Sequence, residues 1–93
     1  MLRIAVCDDS RTDVELLEAA FDELPDYPVE YDVYFSGEEL LTYCTLHDET
    51  YHLYIFDIEM PQLNGLELAK KIREKDAKAL FVFLTSYTKY VMD

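Results

Sequence analysis

The sequence predicts a single three-layer α/β domain, in which helices cover both faces of a parallel sheet. Four short apolar runs alternate with three amphipathic segments, and the links between them are short. Alternation of this kind is typical of parallel strands joined by right-handed helical crossovers. The length of 93 residues suits one small core and is too short for two. With 51% hydrophobic residues, two Gly and three Pro, the composition favours a packed domain over a disordered chain.

The first strand is predicted from the apolar run 2–7, which is followed directly by Asp8 and Asp9. Ser10 and Asp13 have the spacing of a capping box, in which side chains satisfy the free N–H groups of a helix start. The face of this helix that would enter the core carries apolar residues at helical spacing: Val14, Leu17, Phe21 and Leu24.

The second strand and helix are predicted from a change in side-chain periodicity. Residues 29–35 alternate apolar and polar side chains, which indicates a strand with one wetter face, at the edge of the sheet. Ser36 and Glu39 repeat the capping pattern and predict a second, short helix. Residues 46–51 are polar, and we interpret them as a loop.

The third strand, residues 52–56, is predicted to deliver Asp57 to the rim of the sheet. Asn64 and Glu67 then have the spacing of a third helix start, with apolar residues on one side of the segment that follows. Residues 79–84 predict a fourth strand that is apolar on both faces. Strands of this type are usually covered on both sides, so we expect the fourth strand to be central.

The composition excludes some functions. The formal net charge of −12 argues against direct nucleic-acid binding, which needs Lys and Arg to compensate phosphates, and favours a cationic partner, a metal ion or simple solubility. No apolar run approaches the roughly 18 residues of a membrane helix, and residues 1–4 lack the apolar core of a signal peptide. We therefore expect a soluble, cytoplasmic protein without membrane contact, in which Cys7 and Cys44 are reduced structural thiols.

Polar side chains follow the carboxyl ends of three predicted strands. They are Asp8, Asp9, Asp57 and Thr85. Because parallel strands share one carboxyl edge, where α/β sheets bind ligands, we expect these residues to lie together. Converging carboxylates repel one another, and a hard divalent cation such as Mg²⁺ would offset that repulsion. An Asp beside Mg²⁺ can attack a phosphoryl donor, and Thr85 would offer its hydroxyl to a phosphoryl oxygen.

Each of these residues also has a purely structural interpretation. Asp8 and Asp9 would cap the first helix, and Asp57 would be a simple turn residue. Thr85 would be an ordinary strand-end hydroxyl or a helix cap. The metal-site hypothesis is favoured because the carboxylates and the hydroxyl occupy equivalent positions on several strands.

A more specific pattern appears when the residues after Asp57 are included. Two carboxylates follow the first strand, an Asp with a later Met-Pro and Gly follows the third, and a Thr follows the fourth. The residues concerned are Asp8, Asp9, Asp57, Met60, Pro61, Gly65 and Thr85. This joint pattern resembles the receiver domain of bacterial two-component response regulators, and the resemblance covers nearly the whole chain.

The resemblance implies a flavodoxin-like fold with strand order 2-1-3-4-5. It also implies that Asp57 accepts a phosphoryl group from a sensor histidine kinase. Asp9 and Asp57 would bind Mg²⁺, or Mn²⁺, directly, together with the backbone carbonyl of Glu59. Asp8 would act largely through a metal-bound water, and Thr85 would contact the phosphoryl group as the switch residue. Such a protein assists its own Mg²⁺-dependent phosphorylation but is not an enzyme.

The end of the chain departs from that family pattern. Receivers continue through a fourth helix, a fifth strand and a fifth helix, whereas residues 87–93 resemble only the first turns of the fourth helix. We therefore expect residues 1–93 to form a receiver domain with strand order 2-1-3-4, without the fifth strand, the last helix or an output domain. Segments 56–61, 64–69 and 83–87 resemble the subgroup with a LytTR-type DNA-binding output, which implies control of transcription.

Two other functions are compatible with the residues. The chain would be a non-switching receiver fragment that associates through the exposed edge of its fourth strand, as a homodimer or a strand-exchanged oligomer. Alternatively, it would be a metal-dependent phosphohydrolase with an aspartyl-phosphate intermediate. Such enzymes need a second Asp two residues after the nucleophile, and Glu59 occupies that position here.

Overall fold

The structure, a computed structural model, describes residues 1–24, 26 and 28–84. Its elements are β1 (Leu2–Cys7), α1 (Arg11–Asp22), β2 (Val29–Tyr34), α2 (Gly37–His47), β3 (Leu53–Asp57), α3 (Gly65–Lys75) and β4 (Leu80–Leu84). All neighbouring strands pair in parallel, in the order β2-β1-β3-β4. The α/β fold and the strand order 2-1-3-4 are thus confirmed.

Side chains that alternate along the strands build a core on each face of the sheet. In β1, Ala5 and Cys7 enter the core beneath α2 and α3, together with Leu40 and Leu68. On the opposite face, the side chains that meet are those of Ile4, Val6 and Ile55, with Leu17 and Phe21 of α1 packed against them. Helices therefore cover both faces, and the three-layer prediction is confirmed.

The three helices begin where the capping residues predict. The side chains of Ser10, Ser36 and Asn64 accept hydrogen bonds from backbone N–H groups three residues later. At α3 the reciprocal bond is also present, because the Glu67 carboxylate accepts from the Asn64 N–H at 3.2 Å. Ser10 and Ser36 follow the ends of β1 and β2 closely, whereas the loop 58–63 separates Asn64 from the end of β3.

Two boundaries differ from the prediction for physical reasons. Helix α2 continues into the predicted loop as far as His47, whose ring packs 4.4 Å from that of Tyr43, and it ends at Asp48 in the left-handed conformation. Strand β3 begins at Leu53 rather than at residue 52. His52 still bonds to β1, but its Nδ1 accepts from the Arg3 N–H while its own N–H donates to the Arg3 carbonyl, both at 2.9 Å.

The edge position predicted for the second strand is confirmed, but the central position predicted for the fourth is not met within the described residues. There β4 pairs with β3 alone and ends the sheet. Phe81 packs against the core, whereas Leu80 is 65% exposed and Val82 43% exposed. The predicted start of a fourth helix lies outside the described residues. Among the residues that the structure describes, no helix is long and apolar enough to cross a bilayer.

Candidate functional site

Three carboxylates meet at the carboxyl edge of β1 and β3. Asp8 and Asp9 directly follow β1, and Asp57 is the last residue of β3. One carboxylate oxygen from each residue lies within 4.8 Å of the other two. Asp8 and Asp57 are buried, with 2% and 5% of their surface exposed, while Asp9 is exposed. The structure therefore brings together the three carboxylates that the sequence analysis expected to converge.

Asp8 is held by backbone groups on both sides. Its N–H donates to the Tyr34 carbonyl at 3.1 Å, which extends the pairing of β1 with β2 by one residue. Its carboxylate accepts from the Ser10 N–H at 2.8 Å. Ser10 is in turn the N-cap of α1, so the carboxylate is tied to the start of that helix. Part of the structural interpretation, a role for Asp8 at the helix start, therefore coexists with its place in the carboxylate cluster.

Asp57 is held by the segment that follows it. Its carboxylate accepts from the Glu59 N–H at 3.1 Å, and the next residue, Ile58, donates its N–H to the Leu84 carbonyl at 3.0 Å. The Ile58 carbonyl accepts from the Gly65 N–H at 3.0 Å, which draws the first turn of α3 against the end of β3. A Cβ at Gly65 would collide with the Asp57 carbonyl, so this close approach requires glycine.

Burial raises the pKa of both inner carboxyls. It is the main reason why the Asp8 pKa rises from 3.8 to about 6, with a further increase from the Asp57 charge and an opposing effect of the Ser10 N–H. Burial likewise raises the pKa of Asp57, the Glu59 N–H opposes this, and the charge of Asp9 adds to it. The ionised cluster is therefore costly unless a cation compensates it.

The donor set fits a hard divalent cation. Carboxylate oxygens are the ligands that Mg²⁺ takes in proteins, usually one or two of them with several waters. Here one exposed and two buried carboxylates offer oxygens close enough to share one ion. Thr85, the predicted fourth member of the site, lies outside the described residues, and its role stays a prediction.

The two cysteines are buried and free, as expected for structural thiols. The Cys7 Sγ lies 3.8 Å from the Sδ of Met60, directly beside the carboxylate cluster. Burial raises the pKa of Cys7 to about 12, with the neighbouring Asp8 charge adding to the shift. The thiol is therefore protonated at neutral pH and serves to pack the loop that carries Met60.

The sequence analysis missed one contact near the site. A Cβ at Gly37, in the first turn of α2, would lie 3.0 Å from the Cδ2 of Leu63. Leu63 belongs to the loop between Asp57 and α3. The available signal was a glycine in the first turn of a helix, where another residue would serve the helix better.

Proteins with a doubly wound α/β sheet bind their ligands at the carboxyl edge of that sheet. The fold and the acidic cluster at this edge place the chain in that class. The family model of the response regulator receiver domain matches residues 4–92. The chain belongs to this family.

Relatives from several bacteria match most of the chain. The transcriptional regulatory protein NatR of Bacillus subtilis is 28% identical over 92 residues, which are 99% of this chain and 38% of NatR. The virulence sensor protein BvgS of Bordetella bronchiseptica is 37% identical over 76 residues, which are 82% of this chain and 6% of BvgS. The chain thus spans well under half the length of these relatives.

The response regulator protein TrrA from Thermotoga maritima has a similar solved structure. A crystal structure of TrrA in complex with Mg(2+)-BeF has a TM-score of 0.79 and 40% identity, and the match covers 97% of this chain and 74% of that one. A second structure contains TrrA in complex with the histidine kinase ThkA, with a TM-score of 0.73, 39% identity, and coverage of 100% of this chain and 76% of that one.

Proposed function

We propose that the chain is the phosphoacceptor switch of a two-component system, in which Asp57 accepts a phosphoryl group from a sensor histidine kinase. The observation that carries the proposal is the convergence of Asp57 with Asp8 and Asp9, whose carboxylate oxygens lie within 4.8 Å. The complexes of TrrA with Mg(2+)-BeF and with a histidine kinase support both the ion and the partner.

In the proposed metal site, Asp9, Asp57 and the backbone carbonyl of Glu59 hold Mg²⁺, or Mn²⁺, and Asp8 acts through water. When bound, the ion supplies positive charge that neutralises the carboxylates and the transferring phosphoryl group. Burial of Asp8 and Asp57 strengthens that electrostatic effect, because little water screens the charges. The donor chemistry of the cluster supports this assignment, and TrrA supports the identity of the ion.

The chain's own part in the transfer is to orient the nucleophile. The Glu59 N–H bond and the strand pairing of Asp57 with Leu84 fix the carboxylate at the rim of the sheet. An Asp57 oxygen forms the new O–P bond while the P–N bond of the kinase phosphohistidine breaks, and its electron pair returns to the imidazole ring. Thr85 is proposed to contact a phosphoryl oxygen. The product carries about −1.5 to −2 charges at this position, which is the signal to be sensed.

The test is the intact mass of the chain after incubation with acetyl phosphate and Mg²⁺. We expect one phosphoryl adduct on the wild type and none on Asp57→Asn, because the amide is not a comparable nucleophile. Asp48→Asn is the matched control, since Asp48 ends α2 away from the cluster and Asn tolerates its left-handed backbone. An unmodified wild type, or an adduct that persists in Asp57→Asn, would refute the proposal.

We further propose that phosphorylation controls transcription through a LytTR-type DNA-binding output domain, in the cytoplasm. NatR, a relative named as a transcriptional regulatory protein, supports transcription as the output. The LytTR assignment depends on the resemblance of segments 56–61, 64–69 and 83–87. The net charge of −12 makes the receiver itself a poor ligand for DNA.

The exposed apolar surface of β4 favours a second candidate function, association with another copy of the chain. Leu80 is 65% exposed at the end of the described sheet, and unpaired apolar edges promote strand pairing. We expect concentration-dependent dimers or strand-exchanged oligomers in sedimentation velocity, and mainly monomer for Leu80→Lys. Leu46→Lys, at a 75% exposed position on α2, is the matched control and should associate like the wild type. A wild type that is monomeric and unfolds cooperatively would count against this role.

A further inference from the structure

We propose that the contact between Gly37 and Leu63 positions the loop that follows Asp57, and thereby sets the affinity of the carboxylate cluster for Mg²⁺. The inference rests on the proposed function, because it assigns a role toward the proposed metal site. It concerns the loop of residues 58–64, which joins β3 to α3.

Two of the loop's attachments are close to the cluster. Ile58 is fixed on both sides, since its N–H donates to the Leu84 carbonyl and its own carbonyl accepts from the Gly65 N–H, both at 3.0 Å. Met60 is buried, and its Sδ lies 3.8 Å from the Cys7 Sγ. These contacts hold the first half of the loop against the sheet, and a separate contact must hold the second half.

Leu63 supplies that contact by packing on α2. A Cβ built on Gly37 would lie 3.0 Å from the Cδ2, 3.3 Å from the Cγ and 3.4 Å from the Cβ of Leu63. The nearest atoms thus all belong to one side chain, so a side chain at residue 37 and that of Leu63 compete for the same space. Gly37 is buried in the first turn of α2, immediately after the N-cap Ser36.

The backbone does not explain the glycine at position 37. Within the described residues no glycine has a positive φ, so another residue would fit the conformation of Gly37. Glycine also weakens a helix relative to alanine. The space that Leu63 occupies is the remaining physical reason for glycine.

The residue before Leu63 shows that this half of the loop needs support. Gln62 has a φ of 65°, in the left-handed region that non-glycine residues occupy only when their surroundings hold them there. The packing of Leu63 on Gly37 is the contact next to this bend.

The loop position matters for the metal because of Glu59. Its N–H donates to the Asp57 carboxylate, and its carbonyl is the proposed third protein ligand. A displacement of the loop therefore moves the Glu59 carbonyl, which is one proposed ligand. It also moves the Glu59 N–H, which orients a second ligand, the Asp57 carboxylate. Loss of a group that orients a metal ligand typically weakens metal binding by about 10- to 100-fold.

The experiment measures the Kd for Mg²⁺ by isothermal titration calorimetry on the whole chain. An added methyl in Gly37→Ala should push Leu63 outward by a few tenths of an ångström. Because Leu63 supports a metal ligand only indirectly, we expect Mg²⁺ binding to weaken about three- to tenfold, at or below the range for groups that contact a ligand. Leu63→Ala, which leaves α2 unchanged, should weaken it similarly by removing the support. The double variant should bind more tightly than either single variant, because the methyl added at residue 37 fills the space that the Leu63 branch vacated.

A core truncation separates positioning from stability. Ile72→Val removes one methylene from α3 in the same core and should lower the thermal midpoint without changing the Kd. Unchanged Kd values in Gly37→Ala and Leu63→Ala, beside normal binding by the wild type, would overturn this inference and leave the proposed function standing. Additive rather than compensating effects of the two substitutions on the Kd of the double variant would also overturn this inference. A wild type that neither binds Mg²⁺ nor forms the phosphoryl adduct would overturn both.

Discussion

Gly65→Ala is expected to lower the free energy of unfolding by about 3 kcal/mol, although alanine is the better helix former by about 1 kcal/mol. A Cβ at residue 65 would overlap the carbonyl oxygen of Asp57, which is a backbone atom and cannot rotate away. Helix α3 would have to move from the end of β3, and the bond from the Gly65 N–H to the Ile58 carbonyl would be lost or lengthened. Helix propensity alone thus predicts that Gly65→Ala raises the free energy of unfolding, whereas the packing of α3 against β3 predicts that it lowers it.

Urea unfolding followed by circular dichroism measures this difference. Gly37→Ala is the comparison, since its added methyl meets only the flexible side chain of Leu63, and we expect it to cost about 1 kcal/mol. A Gly65→Ala variant with the wild-type urea midpoint, or a higher one, would show that the two backbones do not approach as closely as the structure shows.

Much of the fold was predictable because local chemistry and tertiary structure agree. Ser10, Ser36 and Asn64 all cap helices, and each is recognisable from a partner three residues later. The convergence of the carboxylates followed from topology alone, since parallel strands bring their carboxyl ends to one edge. Strand polarity therefore predicted that Asp8 and Asp57 share one edge, while the adjacency of β1 and β3 was implied by the resemblance to receiver domains and is found in the structure.

The differences arise where a tertiary contact overrides a local pattern. Tyr43 and His47 pack their rings at a tilted angle across one turn, and α2 continues through residues whose polarity indicated a loop. His52 replaces a strand hydrogen bond with its imidazole, which periodicity cannot show. The contact of Gly37 with Leu63 joins residues that are distant in sequence. A glycine in the first turn of a helix indicates a close neighbour but does not identify it.

A pH-dependent gain in stability is the expected result of Asp8→Asn in the absence of metal. The pKa of Asp8 in the folded protein, about 6, lies above its usual value of 3.8, so folding favours the protonated form. The stability that protonated Asp8 contributes is complete below about pH 4 and is lost as the pH rises through 6. Asparagine keeps an acceptor for the Ser10 N–H without the charge. At pH 7 we therefore expect the variant to be more stable by about 1–2 kcal/mol.

Unfolding in urea with EDTA at several values between pH 4 and pH 8 tests this expectation. The difference between variant and wild type should grow between pH 4 and pH 6 and then level off, whereas a constant difference would rule out burial of the charge as its cause. With Mg²⁺ the order should reverse, since ion at a hundred times Kd would stabilise the wild type by about 2.7 kcal/mol and the variant by less. Asp9→Asn separates the cost of a buried charge from the binding of the ion. The Asp9 carboxylate is exposed, so the stability without metal should change little, while the stabilisation by Mg²⁺ should fall. The burial that makes the Asp8 charge costly in the metal-free protein is then what favours ion binding.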